Sequence, residues 1–177
     1  MSIKSMSLNE RKLTELFSKL GADEPESWAH SQITEGIPQL PRYLFLRQAW
    51  RNVVSPDDQS WMSKMRPSDP LEPGGEIGPA IDRILAAGAR PEDLTTVVRI
   101  MQWYMLSRLC VLLDDPGGDV ESEVADIWWQ LYLIDENDNP VVPISGLIES
   151  VLETDPTGRE MRPAEYLQNQ PTDGSFG

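Results

Sequence analysis

Most of the first two thirds of the chain is written in a helical period. Leu13, Leu16, Phe17 and Leu20 recur three and four apart, with Gly21 behind them as a stop. Ser7 stands where an N-cap would, and Glu10 three residues on completes a capping-box spacing. Ser27 is placed to cap a short second segment carrying Trp28 and Ile33. Pro38 and Pro41 punctuate the approach to Tyr43–Val54, where Leu44, Leu46, Ala49, Trp50, Val53 and Val54 supply an apolar stripe. Ser55-Pro56-Asp57 then leads into Trp61, Met62 and Met65, and Pro67–Gly75 reads as a loop. A helix is predicted over Ile77–Ala87, ending near Gly88. Pro91-Glu92-Asp93 starts another: proline suits a first turn, and both carboxylates complement the helix dipole.

That helix contains the most hydrophobic stretch of the chain, Leu94–Leu113, with 14 of 20 residues apolar or aromatic. Length alone would permit a membrane span. Arg99, Gln102 and Arg108 lie inside it, however, and arginine is costly in lipid. The pattern therefore predicts a core helix with one wet stripe, the spine of the fold.

Past Asp114-Asp115-Pro116-Gly117-Gly118 the period changes. Ala125–Ile134 is rich in aromatic and β-branched residues, which favours a strand. Asp135–Asn139 is a turn-forming cluster, and Val141–Ile144 returns as a partner strand. A helical reading of Val124–Leu133 stays open, because short apolar runs fit both periods. Gly146–Glu153 predicts a short helix and Asp155-Pro156-Thr157-Gly158 a turn. The expected class is mainly α (α+β). A multi-helix core surrounds a central apolar helix at about 91–113, with a β-hairpin at about 125–144 and a short C-terminal helix. One globular domain over 1–162 and a frayed tail over 163–177 complete the outline.

Charge changes this picture more than composition does. With 177 residues, 40% of them hydrophobic and 25% charged, the chain can build a real core. Its 29 acidic and 15 basic residues leave a formal charge of −14. Residues 1–113 carry only −1 of this, whereas 114–177 carry −13, with Arg159 and Arg162 as the only cations. Without a basic face, direct binding to nucleic acid or an anionic membrane is not expected. The single cysteine, Cys110, excludes an intramolecular disulfide framework and a cysteine-based zinc cluster. Its place in the apolar stretch predicts a buried, inert thiol. A single histidine, His30, removes most histidine-ligated metal sites. Met1–Glu10 is polar and lacks the apolar segment of a secretory signal, so a cytoplasmic location is the default expectation.

Several candidate sites reduce to simpler readings. Asp135-Glu136-Asn137-Asp138-Asn139 echoes a calcium loop, but Pro140 stands at the glycine position and Gly146 at the glutamate position. Asp114, Asp115 and Asp119 around two glycines read as an acidic loop before a weak cation site. Gly74-Gly75-Glu76-Ile77-Gly78 lacks the lysine of a phosphate loop, and Glu72 and Glu76 would repel phosphate. Glu149 and Glu153 would share a helix face, and such a pair does acid/base work only when one member is desolvated. Arg42, Arg47 and Arg51 interleave with Tyr43, Phe45 and Trp50, with no acid between Gly36 and Pro56. That stretch resembles a small anion or nucleic-acid patch, and reads first as a set of intramolecular partners for the acidic C-terminal part. No catalytic residue, cofactor or metal is assigned.

L-E-P-G-G-E-I-G-P-A-I-D-R-I-L-A-A-G-A (Leu71–Ala89) and E-S-V-L-E-T-D-P-T-G-R-E-M-R-P (Glu149–Pro163) resemble a bacterial family of small acidic proteins of uncharacterised function. The resemblance covers about a fifth of the chain and implies no activity and no site residues.

The sequence points to a cytoplasmic binding protein that occupies or neutralises a basic protein partner such as a toxin, in the manner of an immunity protein or antitoxin-like inhibitor. Concentrated negative charge speeds association with a cation, and aromatic anchors supply affinity. Asp126, Asp135, Glu136 and Asp138 are the expected acids, with Trp128, Trp129 and Tyr132 as anchors. In a strand, Trp128 and Trp129 would face opposite sides, one for the core and one exposed. Three alternatives stand beside this: a nucleic-acid-mimicking inhibitor of a DNA-binding protein, a carboxylate-dependent hydrolase using Glu149 and Glu153, and a structural subunit or homodimer.

Overall fold

A computed structural model of the chain describes residues 8–67, 69, 71–117 and 126–165. The class is mainly α, with seven helices and one two-stranded hairpin among the described residues. The backbone gathers into two compact units, residues 1–50 with 106–177, and residues 51–105.

In the first unit, α1 (Glu10–Leu20), α2 (Pro25–Thr34) and α3 (Gln39–Trp50) enclose Leu13, Phe17, Trp28, Ala29, Leu40 and Tyr43. The rings of Phe17, Trp28 and Tyr43 lie within 5.2–5.9 Å of one another, two of the three pairs edge to face. The cap of α1 is Asn9, whose side chain accepts from the Lys12 amide at 3.0 Å. The expected cap, Ser7, lies outside the described residues, and asparagine serves equally well. Gly21, at φ 85°, makes the expected stop. α2 begins two residues before Ser27, because Pro25 sits comfortably in a first turn. For the same reason α3 takes Pro41 into its opening turn, and it ends at Trp50 instead of running on to Val54.

The strands of the hairpin, β1 (Tyr132–Ile134) and β2 (Pro140–Pro143), pair antiparallel with Tyr132 opposite Pro143. They are shorter than the 125–144 expected. Two prolines in β2 remove ladder donors, and the register is irregular after Leu133. The last helix, α7 (Leu147–Ser150), contacts α3, and the Trp50 indole donates to Val151 O at 2.9 Å and Thr154 Oγ1 at 3.1 Å. The predicted frayed tail lies mostly outside the described residues, which end at 165.

In the second unit, α4 (Trp61–Lys64), α5 (Ile77–Ala86) and the start of α6 (Pro91–Asp114) surround Trp61, Met62 and Ile81. The Trp61 indole donates to Thr95 Oγ1 at 3.0 Å, and that hydroxyl donates to Pro91 O at 3.0 Å. One helical turn on, Arg99 Nη1 donates to Val54 O at 2.8 Å and Gln102 Oε1 accepts from Val54 N at 2.8 Å. These bonds decide which face of α6 turns inward.

The long apolar helix is therefore present, but its exposure differs from the expected buried spine. Its buried residues are Thr95, Arg99 and Cys110, while Val97, Met101, Tyr104 and Met105 are each more than half exposed. A polar side chain that can satisfy backbone groups inside has displaced apolar ones to the surface. By length and composition α6 could also cross a membrane, and only 11% of that apolar window is buried.

Candidate functional site

A cleft of about 620 Å³ opens in the first unit among α2, α3 and the segment that follows α7. Its walls carry six carboxylates, Asp23, Glu24, Glu35, Glu149, Glu153 and Glu160, against two guanidinium groups, Arg42 and Arg162. Ser27, Ser31 and Ser150 add hydroxyls. The cleft thus draws half of its acids from the near-neutral N-terminal region and half from the acidic third.

Each wall is positioned by local chemistry. The Asp155 carboxylate is 3% exposed and receives the Thr157 amide at 3.1 Å, the Thr157 hydroxyl at 2.8 Å and the Met161 amide at 2.9 Å. This folds the Asp155–Gly158 turn and bends the chain back so that Glu160 reaches the cleft. Glu160 and Met161 are held at φ 50° and 60°, a left-handed conformation that costs non-glycine residues of order 1 kcal/mol each. Such strain survives only where surrounding bonds impose it, and Asp155 supplies them. Arg162 closes the corner with an ion pair to Glu160 at 2.8 Å.

Arg42 and Gln39 project from one face of α3, three residues apart, and each is only 7% exposed. Arg42 Nη1 reaches Ser150 Oγ at 3.4 Å, and Gln39 Nε2 donates to Ser31 Oγ at 2.8 Å. Arg42 Nε and Gln39 Oε1 have no partner among the described residues. Buried polar atoms are nearly always paired, so these two mark the floor as a place where hydrogen bonding is incomplete. Gly146, at φ 71°, lies so close to the Arg42 guanidinium that a Cβ there would overlap it. Asp114 Oδ2 accepts from Ile148 N at 2.9 Å and adds a further negative charge near Arg42.

The electrostatics are unbalanced toward the negative. Burial pushes the Arg42 guanidinium down, an effect partly offset by Glu149, Asp114 and Glu153. Burial also pushes Glu153 above the usual carboxylate range, and Glu160 and Glu24 push in the same direction while Arg42 opposes them. Arg42 therefore does stand among acids of the C-terminal part, as its position in the sequence suggested. Arg47 is half-buried with Tyr43 nearby, and Arg51 is exposed.

The residues expected to bind a partner are placed elsewhere. Asp126, Glu136 and Asp138 are exposed, and none of the seven lines the cleft. Asp135 holds its own turn together: it accepts from the Asn137 and Asn139 amides at 2.8 and 3.0 Å, bonds that keep its carboxyl below the ordinary range. Trp128 and Trp129 are 67% and 42% exposed, so neither is a core residue. The expectation that one would be buried rested on a strand there, and the ladder begins only at Tyr132. Trp129 is anchored by its indole, which donates to Leu112 O at 3.1 Å, and Trp128 lies over Gly117. Tyr132 is 43% exposed.

Other chemistry is thin. Cys110 is fully buried, and desolvation together with Asp114 pushes its thiol up to about 11, which leaves it unreactive at neutral pH. His30 Nδ1 lies 3.1 Å from Glu10 Oε1 on an exposed face. Among the described residues no group of three or more His, Cys, Asp or Glu is arranged to hold a metal ion, and Asp119 of the expected acidic loop lies outside them. The chain matches no protein-family model, no curated protein and no solved structure.

Proposed function

We propose that the protein is an acidic, cytoplasmic binding protein that occupies a basic protein partner, and that the cleft floored by Arg42 receives a cationic side chain of that partner. The observation that carries this is the surplus of carboxylates in one concave site, six against two arginines. Like charges held this close cost the folded chain stability; burial first, and Glu160 and Glu24 after it, raise the affinity of Glu153 for a proton. A lysine or arginine arriving from outside relieves it. An immunity or antitoxin-like inhibitor is the concrete form of such a protein, with the exposed Trp128 and Tyr132 as further contacts.

Titration with a poly-lysine of fixed length tests the reading. Binding should weaken steeply as salt rises, and Glu149→Gln with Glu153→Gln should reduce affinity about tenfold, the loss of two close charge contacts. Glu136→Gln with Asp138→Asn should change it little. Equal losses would move the site to the hairpin, and affinity indifferent to salt would remove the electrostatic basis.

One observation favours a second reading, a carboxylate-dependent hydrolase: Glu149 and Glu153 share the cleft, and Glu153 holds its proton more tightly than an ordinary glutamate. Hydrolysis of chromogenic glycosides, abolished by Glu153→Gln, would replace the binding reading with this one.

A further inference from the structure

The exposed face of α6 is a feature the cleft does not account for. Val97, Ile100, Met101, Tyr104 and Met105 are 54, 47, 67, 61 and 60% exposed, with Val111 and Leu112 continuing the face at 36 and 47%. Val97, Met101, Tyr104, Arg108 and Val111 alternate steps of four and three, the 3.5-residue repeat of a helix that packs lengthwise on another helix. Apolar side chains exposed in a row along one helix face point to an interaction site.

Charge on the same stripe selects the occupant. Asp93 stands near one end and Arg108 toward the other, both exposed, Asp93 only loosely held 3.9 Å from Arg90. Turned end for end, the stripe complements itself. A register with its two-fold axis between Ile100 and Met101 puts Val97 opposite Tyr104 and Asp93 opposite Arg108, twice over. A parallel pairing would set Arg108 against Arg108 and Asp93 against Asp93. A bilayer would have to accept Arg108 within the stripe and a chain carrying −14.

We propose that α6 pairs antiparallel with α6 of a second copy of this chain, through an apolar seam from Val97 to Tyr104 closed at each end by an Asp93–Arg108 ion pair. The contact is isologous, the same patch on both copies, so it closes as a dimer and does not propagate.

Sedimentation velocity on the full chain at physiological salt tests this. The weight-average mass should climb from one chain toward two as concentration rises through the micromolar range. Met101→Glu, a change at an exposed position, should leave the circular dichroism spectrum unchanged and weaken association at least tenfold. Arg108→Asp should weaken it as well, and adding Asp93→Arg should restore it, a rescue that a merely sticky surface would not show. A single-chain mass at all concentrations, association untouched by Met101→Glu, or no rescue by the charge swap would overturn the proposal. Co-flotation with phosphatidylcholine vesicles that is lost in Met101→Glu would also overturn it, in favour of lipid as the occupant.

Discussion

Each unit of the molecule buries an arginine, and the two are used in opposite ways. Arg99, 5% exposed, donates to Val54 O at 2.8 Å, while Gln102 takes the amide of the same residue, so the charge is committed to holding a backbone segment. Arg42, 7% exposed, makes one long contact to Ser150, keeps an unpartnered Nε, and is surrounded by acids that line an open cleft. Burial of a charge is therefore not by itself a sign of function. What separates the two is whether the donors are already spent on the protein's own backbone.

The largest expected effect follows from that contrast. Arg99→Met should lower stability by about 2–4 kcal/mol in urea unfolding, because Val54 O is left without a buried donor. Arg42→Met should cost clearly less, since little hydrogen bonding is lost. An equal or larger loss at position 42 would break the comparison. Gly146→Ala comes next, at about 1–3 kcal/mol, from its left-handed φ and the overlap with the Arg42 guanidinium. It should also weaken poly-lysine binding by disturbing the cleft floor. Thr95→Val interrupts the relay from Trp61 to Pro91 and should cost about 1 kcal/mol, with no effect on binding.

The smallest effect is the most diagnostic. Glu153 binds its proton more tightly in the folded chain than in the unfolded one. As pH rises, the unfolded chain ionises first, near about 4.3, so the folded state loses relative stability from there up to the raised value. Glu153→Gln should therefore raise the urea midpoint slightly at pH 7 and leave it unchanged near pH 3. A midpoint lowered at pH 7 would mean that Glu153 is paired rather than crowded.

Local signals made many of the elements readable in advance. Gly21 ended α1, Pro91 opened α6, and Asp135–Asn139 made the hairpin turn as its composition implied. The burial of α6 was not readable, because its inner face is chosen by Val54, far away in the chain and recognised through main-chain atoms that carry no side-chain pattern. The cleft was half readable. Glu149 and Glu153 could be placed on one face from their spacing, and Arg42 among acids from the charge map. Asp23, Glu24 and Glu35 come from more than a hundred residues earlier, and Glu160 enters through a left-handed backbone that no local preference announces.

The outward apolar face of α6 has a consequence for behaviour in solution. With −14 on every chain, copies repel one another most strongly at low ionic strength. Added electrolyte weakens that repulsion while strengthening apolar contact, and at the same time it loosens any grip on a cationic protein. If α6 pairs with a second copy and the cleft takes a cation, salt would pull this molecule in two directions, toward its own kind and away from strangers.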